Sequence, residues 1–194
     1  MKTFDVVGFG ALNVDTLFKV NQIAGAEEES FIEANSETCG GSAANTMVGL
    51  ARLGCRVGFI GKVGGDEKGA LLLEDFEREG VDTSGVIRVK QGSSGSVMGF
   101  IDKQGARALY VDSGVNDTIM LEEIKAKYVL NARFLHLTSF VGEKSFDSQK
   151  KLLESLPDVK VSFDPGALYA KKGFSKLEPI IKKTHTMMPN SSEL

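Results

Sequence analysis

Gly40-Gly41-Ser42-Ala43-Ala44-Asn45-Thr46 is the stretch on which the reading of this chain turns. The two glycines precede a run in which Met47, Val48, Leu50, Ala51 and Leu53 recur at helical spacing, with Gly54 as the stop. A glycine pair has no Cβ to hold a neighbour off, so the backbone can turn tightly there or come close to a ligand. A helix that begins directly after the pair leaves its first N–H groups free and aims them at the same spot. Asn45, one turn in, adds an amide that both donates and accepts. A tight turn before an ordinary helix also accounts for these residues. As a ligand site, the combination suits a polyhydroxylated molecule better than an apolar one.

The flanks give the fold class. Residues 4–9 read as a buried strand ending in Gly8-Phe9-Gly10, followed by Leu12-Asn13-Val14-Asp15 and the apolar Leu17, Phe18 and Val20. A loop with Gly25 and three glutamates leads to a second extended run at 30–37. Residues 56–63 read as another buried strand. Residues 66–79 read as an amphipathic helix capped by Asp66, with Leu72, Leu73 and Phe76 facing inward and Gly80 as its end. From 85 to 112 the period shortens to three extended runs, 86–89, 96–101 and 107–111, with Asp102-Lys103-Gln104-Gly105 as a hairpin turn. Helices at 121–131, 144–156 and 174–183 then alternate with strands at 133–138, 159–164 and 184–188. Such alternation implies a parallel sheet covered on both faces. The expectation is one α/β domain over 1–194, with segments at about 16–37 and 86–111 pairing as a small separate sheet. No helix follows the last strand, so the layer is expected to be unfinished on its C-terminal side.

Bulk properties exclude several classes. A chain of 194 residues with 42% hydrophobic and 25% charged residues has the composition of a globular domain. A net charge of −3 argues against nucleic acid as a partner, and Lys150-Lys151, Lys171-Lys172 and Lys182-Lys183 read as solvated helix faces. Cys39 and Cys55 form neither a disulfide framework nor a metal spacing. Both are expected as reduced thiols of a cytoplasmic protein. The start, Met1-Lys2-Thr3-Phe4-Asp5, has no leader pattern, and no apolar run approaches a membrane span. His136, flanked by Phe134, Leu135 and Leu137, reads as a satisfied core histidine.

Gly8-Phe9-Gly10-Ala11-Leu12-Asn13 resembles half of a dinucleotide fingerprint, but Asn13 replaces the third glycine and a β-like run replaces the helix. On extended backbone, Asn13 and Asp15 share one face. With Gly41 and Asn45 they would form a ring of hydroxyl-binding groups, in which the charged Asp15 dominates: a hydrogen bond to a charged group contributes roughly 1.5–3 kcal/mol, against about 1 for a neutral pair. No P-loop lysine motif, Gly-x-Ser-x-Gly elbow or zinc-ligand spacing is present.

Taken together, Asn13-x-Asp15, Gly40-Gly41-x-Ala43-x-Asn45 and Gly61-Lys62-Val63-Gly64-Gly65-Asp66-x-x-Gly69 resemble, in order and spacing, the three N-terminal signatures of the ribokinase-like carbohydrate kinases. That family also holds fructokinases, 2-keto-3-deoxygluconate kinases and adenosine kinases. The resemblance implies a three-layer α/β/α Rossmann-like fold with a β-sheet lid, often used for homodimerisation. It implies transfer of the γ-phosphoryl group of ATP to a primary hydroxyl of a sugar or nucleoside, with Mg2+ and a monovalent cation as further cofactors. By position, Asp15, Gly40, Gly41 and Asn45 would bind the substrate, supported by Asn13. Arg107 in the lid and Ser139, in Thr138-Ser139-Phe140, would flank it. Asp164, Asn190 and Glu193 would organise phosphate and magnesium, the metal indirectly through Glu193. Asp66 matches the second signature in a structural role.

The sequence departs from the family pattern in two places. Pro165 and Gly166 stand where the family carries Asn and Arg. The Gly-Ala-Gly-Asp signature, which supplies the anion hole and the catalytic base, does not occur. The expectation is therefore the substrate side of a sugar kinase, with the base and the nucleotide-base pocket lying after residue 194. A nucleoside kinase and a non-catalytic sugar-binding module remain as alternatives.

Overall fold

The computed structural model describes residues 2–156 and 159–194; Met1, Pro157 and Asp158 lie outside the described residues. The strand β1 (Phe4–Phe9) shows why the centre is a sheet. Its Val7 and Phe9 enter one apolar cluster, while Val6 packs against a second and Gly8 lies against Met47. Apolar residues on both sides of one strand require cover on both faces.

Six strands hydrogen-bond in the order β12 (Thr184–Met187), β11 (Lys160–Asp164), β10 (Ala132–Thr138), β1, β4 (Val57–Ile60) and β6 (Val81–Asp82). Every neighbouring pair is parallel. On one face, α1 (Ser42–Arg52) and α2 (Glu67–Arg78) contribute Met47, Leu72 and Phe76 to the core. On the other, α3 (Ala126–Leu130), α4 (Glu143–Ser155), α5 (Gly166–Ala170) and α6 (Phe174–Ile181) contribute Val129, Phe146, Leu152, Tyr169, Leu177 and Ile180. Each large apolar side chain so buried contributes roughly 1.5–3 kcal/mol. The result is the expected α/β/α sandwich. Strand β12 is its outer edge and stays mostly exposed.

Asp66 caps α2 as expected, accepting from Gly69 N at 2.9 Å, and also accepts from Ser94 N at 2.8 Å. Burial works to raise this carboxyl, but the hydrogen bonds from Ser94 and Gly69 hold it below the ordinary carboxylate value. Gly80 closes the helix at φ +74.

A second sheet orders its strands β3 (Ile32–Gly40), β2 (Asn13–Val20), β8 (Gly95–Ile101) and β9 (Arg107–Asp112). The inner pair, β2 and β8, is parallel and the outer pairs are antiparallel. The run at 86–89, expected within this sheet, lies elsewhere: β7 (Ile87–Arg88) pairs with β5 (Lys62–Val63) as a two-stranded ribbon. The single strand expected over 56–63 is correspondingly broken at Gly61, where the chain leaves the main sheet; a Cβ there would stand 2.6 Å from the Phe59 ring.

The helix expected over 121–131 is also divided. A 3-10 turn at Leu121–Glu123 and α3 flank the extended Ile124 and Lys125. Glu123 is held away from a continuous helix by the buried Lys62, whose Nζ lies 2.7 and 2.9 Å from its two carboxylate oxygens. Among the described residues, no helix is long and apolar enough to cross a membrane.

Candidate functional site

Because the main sheet is parallel, β1, β10 and β11 all end on one edge, and the site is built there. Glycines mark the places where backbone crowds backbone. At Gly41, φ is +117, and a Cβ would lie 2.2 Å from the carbonyl oxygen of Ala11. Only glycine meets both conditions. At Gly40 a Cβ would lie 2.3 Å from Oδ2 of Asp15. The pair therefore makes room for the chain's own Ala11 and Asp15. This packing brings Asp15 against the elbow that starts α1. That helix has no side-chain cap, and its first internal bond runs from Asn45 N to Gly41 O at 2.8 Å. The N–H groups before it have no partner within the helix.

A cavity of about 130 Å³ opens beside this elbow. Asn13, Gly41, Ser42, Ser113, Asp117 and Ser139 give it polar walls, and Val111, Phe140, Val141 and Leu168 give it apolar ones. Asp15 lies on the same face of β2 as Asn13. One of its carboxylate oxygens, Oδ1, is buried without a hydrogen-bond partner, and burial pushes the carboxyl above its ordinary pKa.

Asn116 fixes this corner, and the sequence reading missed it. It is almost fully buried. Its Oδ1 accepts from Leu12 N at 3.0 Å, and its Nδ2 donates to Leu12 O at 2.8 Å and to Asn13 Oδ1 at 3.0 Å. With its oxygen so engaged, Asn13 keeps its amide hydrogens for the cavity. Ser145 of α4 holds the Asn116 carbonyl at 2.7 Å. Gln149, also buried, donates to Thr138 O at 2.9 Å and accepts from the Tyr169 hydroxyl at 2.8 Å. These bonds tie the cavity's floor to α4 and α5.

The other residues singled out from sequence fall into separate places. Ser139 lines the cavity, as do Asn13 and Gly41. Asn45 is exposed and borders a narrow cleft with Gly40 and Asp75 instead. Arg107 is not brought to the cavity. It shares the β9 face of Val111 but stands four residues along the strand, a distance of about 13 Å. Asp164 pairs in register with Thr138 at the sheet's carboxyl edge, and its Oδ1 accepts from Gly166 N at 3.1 Å to open α5. Asn190 and Glu193 follow β12 and hold each other: Asn190 Nδ2 donates to Glu193 Oε1 at 2.7 Å and Asn190 N to Oε2 at 3.1 Å.

His136 is only half satisfied, contrary to expectation. Its Nδ1 lies 3.2 Å from Ser162 Oγ, but its buried Nε2 has no partner. Burial lowers its pKa, with Asp164 opposing. The Cys39 thiol is pushed up to about 11, chiefly by burial and then by Asp75, so it stays protonated at neutral pH.

A three-layer body, a four-stranded sheet beside its carboxyl edge and a polar cavity between them define a ribokinase-type α/β fold. The chain belongs to the pfkB family of carbohydrate kinases, whose family model matches residues 3–194. It is 48% identical over 150 residues to an uncharacterized sugar kinase of Archaeoglobus fulgidus, covering 76% of this chain and 59% of that protein. It is 35% identical over 161 residues to the ATP-dependent ribose-1-phosphate kinase of Halopiger xanaduensis, covering 83% and 54%. Among solved structures, ribokinase from Thermotoga maritima superposes with a TM-score of 0.83 at 24% identity, over 98% of this chain and 60% of that one. The chain thus spans little more than half the length of the curated relatives it matches.

Proposed function

We propose that this chain is the substrate-binding portion of an ATP-dependent sugar kinase that phosphorylates a primary hydroxyl of a small carbohydrate. The observation that carries the reading is Asp15. Its buried carboxylate oxygen lacks a donor, and it sits on the strand face of the cavity-lining Asn13, against the uncapped start of α1. A sugar hydroxyl is a donor of the right kind. The sugar kinase names of the relatives support the same class.

Asp164, Asn190 and Glu193 lie along the carboxyl edge of β11 and β12, where the phosphates of ATP would approach. Among the described residues, no three His, Cys, Asp or Glu side chains cluster as a metal cage. By the family resemblance of Asn190-x-x-Glu193, Glu193 would act on Mg2+ through water, with the lone pairs that Asn190 leaves free. The metal, when bound, supplies charge neutralisation on the transferring phosphate. The second sheet exposes Met98 and Tyr110, register partners on one of its faces, which we assign to a homodimer contact.

Calorimetric titration with D-ribose, 2-keto-3-deoxy-D-gluconate and adenosine tests the reading. Asp15→Asn is expected to weaken sugar binding roughly 10- to 100-fold, and more than Asn45→Ala. The reverse order contradicts Asp15 as the anchor, and a response to adenosine alone would reassign the substrate to a nucleoside. Because the sequence has no Gly-Ala-Gly-Asp, this chain by itself is predicted to show no ADP release above background with ATP and sugar. A missing anion-hole donor removes roughly two to three orders of magnitude in rate, and a missing base roughly two to four. Turnover near that of an intact kinase would overturn this part.

A further inference from the structure

Among the described residues, two carboxylates have a buried oxygen with no hydrogen-bond partner: Asp15 and Asp117. No signature singles out Asp117. It belongs to the 3-10 turn Gly114–Thr118, next to Asn116, and it lines the same cavity as Asn13, Gly41 and Ser139. Its side chain lies flat against Gly142, where a Cβ would be 2.7 Å from Asp117 Cβ and 2.8 Å from its Cγ. That contact fixes the carboxylate's place without supplying a donor. Helix α4 starts at Gly142, which has no side chain to cap it, and Asp117 Oδ1 accepts no hydrogen bond from its first turn. No Lys, Arg or His of the described residues forms an ion pair with it.

A buried carboxylate oxygen without a donor costs stability, and such a cost recurs where a ligand completes the bond. We propose that Asp117 is a specificity-determining residue that accepts a hydrogen bond from a second hydroxyl of the bound sugar, in the cavity it lines with Asn13 and Ser139. The inference rests on the sugar-site reading above. Its consequence is a polarity rule: the ligand must turn a neutral hydroxyl, not a phosphate or carboxylate, toward the Asp117 wall, because like charges there would repel.

The test uses the whole 194-residue chain and titrates D-ribose, ribose 1-phosphate, D-fructose and 2-keto-3-deoxy-D-gluconate into wild type, Asp117→Asn and Asp117→Ala. The sugar that binds wild type is then replaced by its monodeoxy analogues. The expected result is a loss of roughly 10- to 100-fold for Asp117→Ala, a loss that vanishes for one deoxy analogue. The melting temperature of the ligand-free variants should equal or exceed that of wild type. Equal affinity of wild type and both variants overturns the role of Asp117 while leaving the sugar site standing. So does a lowered ligand-free melting temperature with a uniform loss across all analogues, which marks a structural residue. If wild type binds none of the four sugars, the sugar-site reading fails and the assignment fails with it.

Discussion

At the scale of single residues, Asp15 weighs against the stability of the free protein. Burial holds its carboxyl above the ordinary value of 3.8, so the folded chain takes up a proton more readily than the unfolded chain. The destabilisation is full above the folded-state pKa and fades as pH falls toward 3.8. Asp15→Asn should therefore raise the melting temperature at pH 7, with the gain shrinking toward pH 4; a lower melting temperature at pH 7 would contradict a functional burial. His136 has the opposite sign. Burial holds it below 6.5, so its contribution is complete above pH 6.5 and is lost as pH falls further. His136→Gln should flatten the pH dependence of stability between pH 6.5 and 5, and an unchanged slope would show that the ring is not protonated on unfolding.

At the scale of elements, the cavity is held by bonds between distant segments. Asn116 reaches Leu12 across 104 positions of sequence, and Gln149 reaches Phe9 across 140. Removing Asn116 leaves a buried N–H and a buried C=O of Leu12 without partners. Asn116→Ala is expected to cost roughly 2–6 kcal/mol in urea unfolding, at about 1–3 kcal/mol for each of the two orphaned groups. A cost within about 0.5 kcal/mol would mean that water replaces the amide. This is also where sequence reading fell short. Gly41 and Asp66 were legible because their constraints are local: a left-handed φ before a helix, and a cap three residues from its donor. Asn116 and Asp117 sit in a polar stretch after a hairpin and carry no spacing that announces a partner. The break at Gly61 and the division of the 121–131 segment were hidden for the same reason. Both depend on tertiary pairings, with Ile87 and with Lys62.

At the scale of the whole molecule, the order of strands and helices was readable because parallel strands need cover on both faces, and that need marks the sequence twice over. The partition of the β segments was less so: 86–89 has the strand pattern, but its partner is β5, not the second sheet. The exposed apolar side chains of that sheet lead to an oligomer prediction. Met98→Asp combined with Tyr110→Asp, register partners on one face, should shift a dimer toward monomer in sedimentation velocity, whereas an unchanged sedimentation coefficient would place any contact elsewhere. For the site itself, the most direct measurement is a residue-resolved amide NMR titration with D-ribose and 2-keto-3-deoxy-D-gluconate. Shifts concentrated at Asn13, Asp15, Gly41, Ser42, Asp117 and Ser139 are the predicted result. Shifts confined to the outer face of the second sheet, or to the β11–β12 edge with the elbow silent, would contradict it.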